Sequence, residues 1–308
     1  MAVFKRNVPA WSKVRRFFPI SRKFRVLLAL TAFVHLLNVA SFTTRADLHR
    51  MVPRLVRELQ RNSVSWDKLL SEARTRPRFS SSFPASVFVI SLKQSSRRRK
   101  PLTDVLERNG VPHEIVFATD GRLPFRDVDL KYAGEKKLRK MGNTQVKYSV
   151  STSQHQASDY ILHERLRFGC YLSHVHLWED LVLSKKPYYV VLEDDIRLET
   201  NNFAKVLAKE LEKLPADWDL FYLNSCQTRK GGILRPGILQ LKGALCTYGY
   251  AISMGGAAKL LMDTALRSEK PVDHMLDESI YKLVVSAYQA DPPMIGVRPE
   301  QSTLQYPV

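Results

Sequence analysis

Three apolar runs of strand length constrain this chain more than any other feature. Val87–Leu92, Tyr188–Leu192 and Trp218–Leu223 are rich in β-branched and aromatic residues and carry almost no charge. Runs of that kind lack the in–out alternation of a half-exposed strand and fit strands covered on both faces. Glu114–Ala118 and Gly249–Ser253 read as further strands. Helical segments fall between them: Arg97–Asn109 with Gly110 as its stop, the region around Gly169–Ser184, Asn202–Leu214, Gly255–Leu266, and a helix containing Met275–Leu283. Strands alternating with helices predict an α/β fold, a mostly parallel sheet with helices on both faces. Leu123–Tyr160 is polar and irregular and reads as a mobile loop near a substrate.

Charge divides the chain into parts. The 308 residues carry a formal net charge of +18, and eight basic residues stand in Met1–Arg25 before the first acid, Asp47. An apolar run, Val26–Phe42, follows, interrupted by His35 and Asn38. It lies at the short end of the roughly 17–25 residues that a spanning helix requires. The basic flank would keep that end in the cytoplasm, so a retained single-pass anchor is the first expectation for residues 1–46. A peripheral helix on the cytoplasmic membrane face and an organelle transit segment remain open. Residues 47–85 read as a basic helical stem and an Arg/Pro/Ser linker, and the catalytic body as 86–308. Because the basicity sits mainly outside that body, beside an apolar run, a membrane surface is the expected partner and nucleic acid is not.

Cys170, Cys226 and Cys246 have no metal-knuckle or redox-motif spacing. One disulfide with a free thiol, or three buried thiols, would satisfy the count; buried thiols are the expectation.

The densest chemistry is at Tyr188–Asp195, where an apolar strand runs into Glu193, Asp194 and Asp195. Three adjacent carboxylates repel one another unless a positive group neutralises them, and a hard divalent cation does so well. Ligands of open α/β sheets bind beyond the carboxyl ends of strands, where these acids lie. A solvated acidic turn is the competing reading.

This motif is one of six pieces that follow one another in order. Val87–Leu92 followed by Arg98, Phe117–Arg122, Gly169–Trp178, Val191–Asp195, Trp218–Leu223, and Gly249–Ser253 with Pro271–Asp273 together resemble glycosyltransferase family 25. That family groups the lipooligosaccharide galactosyltransferases of lipopolysaccharide biosynthesis with the related collagen galactosyltransferases, and the resemblance spans about Ser86–Gln305. It implies a GT-A-like, Rossmann-like nucleotide-sugar sheet and a UDP-sugar donor, UDP-galactose first. The acceptor it implies is a glycan, a lipid-linked oligosaccharide or a glycoprotein. It also implies a divalent cation, Mn²⁺ before Mg²⁺, at Asp195 with Glu193. Arg98, Asp120, Ser173, His174, Glu193 and Asp194 are the implied donor contacts. Inversion at the sugar requires one base for the acceptor hydroxyl. Asp273 is the first choice and Asp277, one helical turn on, the second. The competing reading of Asp273 is a helix cap. A family-like domain without activity, serving as a tethered binding module, is the alternative to an enzyme.

Overall fold

The computed structural model describes residues 86–130, 132–133, 152–264 and 270–298. All belong to the second of two units, His49–Val308. The first unit, Met1–Leu48, lies outside the described residues, and so do the expected anchor and stem. Among the described residues no helix is long and apolar enough to cross a membrane.

The apolar runs form strands where expected. They are β1 (Ser86–Ser91), β2 (His113–Phe117) and β3 (Tyr188–Glu193), with α1 (Ser96–Arg108) as the crossover between the first two. Gly110, at φ +64°, follows α1 and turns the chain as the sequence predicts. A short α2 (Asp127–Leu130) and a long α3 (Thr152–Ser184) precede β3. Thus α3 begins inside the segment read as irregular. Then come β4 (Ile196–Leu198), α4 (Phe203–Glu212), β5 (Leu220–Arg235), β6 (Ile238–Ser253), α5 (Met254–Thr264), α6 (Val272–Tyr281), β7 (Ala287–Ala290) and β8 (Ile295–Val297).

The main sheet has the order β2-β1-β3-β6-β5-β7. It is mixed, which corrects the expectation of a mostly parallel sheet. β2, β1 and β3 run parallel, but β6 is antiparallel to β3 and to β5. The physical reason is the connection. Only Pro236 and Gly237 (φ +88°) separate β5 from β6, and a two-residue link permits an antiparallel hairpin but never a crossover.

Alternation along the strands builds two cores. Val87, Val89, Val190 and Leu192 face Leu102 and Leu106 of α1 and Phe203, Leu207 and Leu211 of α4. Phe88, Ile90, Tyr189 and Val191 face Tyr171, Val175 and Trp178 of α3 with residues of α5 and α6. Both faces of the sheet are therefore covered, which is why its strands read as continuous apolar runs. A three-layer α/β/α arrangement leaves the carboxyl ends of β1 and β3 together at one edge.

Candidate active site

At that edge β3 ends in Glu193, and Asp194 and Asp195 make the turn into β4. The three neighbours face different surroundings. Asp194 is fully buried. It accepts a hydrogen bond from Ser91 Oγ at 2.6 Å and pairs with Arg98 in the first turn of α1. The structure thus spends Asp194 on joining β1, α1 and the acidic turn. Asp195 is also buried, and Arg98 Nη1 lies 3.7 Å from its Oδ2. Its Oδ1 has no hydrogen-bond partner among the described residues. Burial first, then the Glu193 charge, push the Asp195 carboxyl up to about 6, against the pull of Arg98.

Glu193 is held from one side. Thr247 Oγ1 of β6 donates to its Oε1 at 2.6 Å, and His174 Nε2 stands 3.6 Å from the same oxygen. Burial pushes this carboxyl up, but His174, Thr247 and Arg98 together bring it below the ordinary value. His174 is itself set by a buried chain: its Nδ1 lies 2.8 Å from Tyr250 Oη, which accepts a 3.0 Å hydrogen bond from Trp178 Nε1. The indole is a donor only. The simplest assignment has Tyr250 donating to Nδ1, leaving an Nε2 proton directed at Glu193.

Ser173 works beside it. Its Oγ donates to Gly169 O at 2.7 Å and accepts from Thr119 N at 2.9 Å, tying α3 to the segment after β2. The contact is backbone against backbone. A Cβ on Gly169 would collide with Thr119 O, and one on Gly121 with Arg165 O. Gly169→Ala is therefore expected to destabilise the protein by about 1–3 kcal/mol, the usual cost of overpacking, measured by urea denaturation. An unchanged midpoint would show that this approach can relax. Thr119, Gly121, Cys170, Ser173, His174 and Glu193 are among the residues lining a cavity at this edge. Asp120 is not; it is engaged by Arg122 and by Gln94 Nε2.

Asp273 approaches from α6. It lies in the first turn, one residue past the N-cap neighbour Val272; the N-cap itself is Pro271, and Asp273 Oδ1 accepts a 2.9 Å hydrogen bond from His274 N of the same turn. Its Oδ2 accepts from Cys246 N at 3.3 Å. Asp277 is committed elsewhere, to Arg229 Nη2 at 2.7 Å. Cys246 is bonded to Cys226 across β5 and β6, and Cys170 is the free thiol, which corrects the expectation of three thiols. Burial, then the charges of Glu193, Asp273 and Asp195, push the Cys170 thiol up. Burial and the same three carboxylates raise Tyr248. Glu193, Asp195 and Asp273 thus each act electrostatically on Cys170 of α3 and on Tyr248 of β6.

The donor set fits a divalent cation of limited kind. Among the described residues no group of three or more His, Cys, Asp and Glu is arranged to hold a metal ion. What exists is a buried Asp195 oxygen without a partner and a neighbouring Glu193 with one oxygen held. That suits Mg²⁺ or Mn²⁺ bound by one or two carboxylates and completed by water and substrate phosphates.

Thr247, Tyr250 and Arg298 were not legible as site residues. Thr247 and Tyr250 lie on the strand that places Glu193, and only the register of β6 against β3 reveals them. Arg298 donates from its backbone N to Asp195 O at 2.8 Å, across the pairing of β4 with β8.

Comparison with known proteins places the chain in a family. Residues 85–276 match the family model described as glycosyltransferase family 25 (LPS biosynthesis protein). A protein of Rattus norvegicus named probable inactive glycosyltransferase 25 family member 3 is 32% identical over 197 residues, covering 62% of this chain and 32% of that protein. Procollagen galactosyltransferase 2 of Mus musculus is 27% identical over 214 residues, covering 66% of this chain and 31% of its own length. Procollagen galactosyltransferase 1 of Danio rerio is 26% identical over 222 residues, covering 69% and 34%. The chain spans about a third of the length of these relatives.

Proposed function

The chain belongs to glycosyltransferase family 25, and on that footing we propose that it transfers a hexose, galactose first, from a UDP-sugar to a glycan or glycoprotein acceptor with inversion. The buried Asp195 oxygen that has no hydrogen-bond partner among the described residues, two residues past the Glu193 that closes β3, carries this reading. Asp195 with Glu193 would hold Mn²⁺ or Mg²⁺, and the cation would offset the charge developing on the departing nucleoside diphosphate. Arg98 keeps the acidic turn against α1 by pairing with Asp194, and His174 and Thr247 hold Glu193 from behind. Asp273 accepts the proton of the acceptor hydroxyl as its oxygen bonds the anomeric carbon and the sugar–phosphate bond breaks. Ser173 contributes by fixing α3 on Thr119.

The Cys226–Cys246 disulfide favours a domain facing an oxidising compartment. A single-pass N-terminal anchor with its basic end in the cytoplasm would deliver the domain there; a peripheral helix would not.

A second reading has a specific observation behind it. Relatives matched at 30–33% identity are named inactive or probable inactive family members. A binding module would keep UDP affinity without turnover. A screen of UDP-sugars with and without Mn²⁺, reading released UDP, separates the two. Metal-dependent release that Asp195→Ala abolishes is the expected result; release equal in both proteins removes the metal assignment, and none from either supports the module.

A further inference from the structure

We propose that Arg298 is a positioning residue for the acidic turn, and that the β8 end of the chain is therefore part of the catalytic machinery. This rests on the metal-dependent reading above. β8 pairs with β4 through Ile196–Val297, Arg197–Gly296 and Leu198–Ile295. Arg298 extends that contact by one residue, its N donating to Asp195 O at 2.8 Å. The guanidinium then reaches three more carbonyls. Nε donates to Ile196 O at 3.1 Å, and Nη2 donates to Asp194 O at 2.5 Å and to Arg98 O at 2.8 Å.

Four hydrogen bonds from one residue thus fix the backbone on both sides of Asp195. One nitrogen joins the carbonyl of Asp194 to that of Arg98, the same two residues whose side chains are paired. The turn and the first turn of α1 are locked twice, once through side chains and once through Arg298. A planar fork fits this arrangement and an ammonium does not. Arg298 lies beyond residue 276, where the family match ends, so only the fold brings it to the site.

The test uses the full chain with Arg298→Lys, which keeps charge and loses the fork, and Arg298→Met, which keeps only the stem. Mn²⁺ binding without donor is read by electron paramagnetic resonance, UDP release by kcat and Mn²⁺ dependence, and folding by thermal melting. Groups that orient metal ligands from behind are worth about 10–100-fold in metal affinity or activity. Both variants are expected to weaken Mn²⁺ binding by about that factor, with the acceptor KM unchanged. Lys should recover little, because it restores charge without geometry. Wild-type Mn²⁺ affinity and kcat in a folded Arg298→Lys protein overturn the proposal while the metal-dependent function stands. An equal loss in acceptor KM in both variants assigns Arg298 to general stability and overturns it as well. A wild-type chain that binds no Mn²⁺ overturns the metal-dependent reading and this inference together.

Discussion

Asp195→Asn is expected to lower UDP-sugar turnover by about 10²–10³-fold, the loss seen when a single group stabilising developing charge is removed, and to raise the melting temperature of the metal-free protein. Both effects have one cause. Asp195 is buried beside Glu193 and Asp194, with one oxygen lacking a hydrogen bond. Burial and the Glu193 charge hold its carboxyl up at about 6, whereas an unfolded aspartate titrates near ~4. The fold therefore favours the protonated form. That stability is fully present below pH ~4 and is lost as pH rises through about 6. At neutral pH the ionised group costs on the order of 2–3 kcal/mol, which the neutral amide avoids. The measurement pairs UDP release with calorimetry in chelator at pH 7.5 and near pH 4. The variant should melt higher at pH 7.5, and the gap should close near pH 4. A variant that melts lower at pH 7.5 would show that the carboxylates are already neutralised by Arg98. Unchanged turnover would remove Asp195 from the metal site.

The parts of the molecule that the sequence revealed are those whose local pattern and tertiary role coincide. Val87–Leu92 and Tyr188–Leu192 read as strands covered on both faces because α1, α3 and α4 cover them. Gly110 read as a stop because its backbone is left-handed. Glu193–Asp195 stood out because three acids at a strand end violate the usual spacing of charge. Of the long hairpin only the two ends, Trp218–Leu223 and Gly249–Ser253, were legible. From Asn224 to Arg235 β5 is largely exposed, and several register shifts against β6 interrupt its alternation. Exposed, bulged strands carry little periodic signal. The differing surroundings of Glu193, Asp194 and Asp195 were equally hidden, since Ser91, His174, Thr247 and Arg298 come from four separate elements. The pairing of β3 with β1 and β6 and of β4 with β8, with the packing of α3 on the sheet, brings them together.

Asp273→Asn should lower kcat for transfer by about 10²–10⁴-fold, the range for general base catalysis, with the donor KM little changed. Asp277→Asn should leave kcat within a few-fold. The sequence left these two carboxylates as competitors one helical turn apart, and their partners now separate them. Asp277 receives Arg229 Nη2 on both oxygens, at 2.7 and 2.8 Å, so it is already neutralised. Among the described residues Asp273 is held by His274 N of its own helix and by Cys246 N. It also acts electrostatically on Cys170 and Tyr248 together with Glu193 and Asp195. The hold on Asp273 depends on the hairpin. Cys246 has φ +66° and Gln227 φ +44°, left-handed conformations beside the two bonded cysteines. Such backbone costs a non-glycine residue roughly 1–2 kcal/mol each, and the crosslink opposes its relaxation. Reduction of the disulfide, or Cys226→Ser with Cys246→Ser, should therefore lower kcat in the same sense as Asp273→Asn. It should lower it little further in a protein already carrying Asp273→Asn. Thr247, the next residue, holds Glu193, so Mn²⁺ dependence should shift as well in the reduced protein. Stopped-flow and steady-state UDP release on the single, double and combined variants measure this coupling. Additive losses from Asp273→Asn and disulfide removal would show that the crosslink acts independently of the base. Full activity of Asp273→Asn alongside a large loss in Asp277→Asn would reverse the assignment of the base itself.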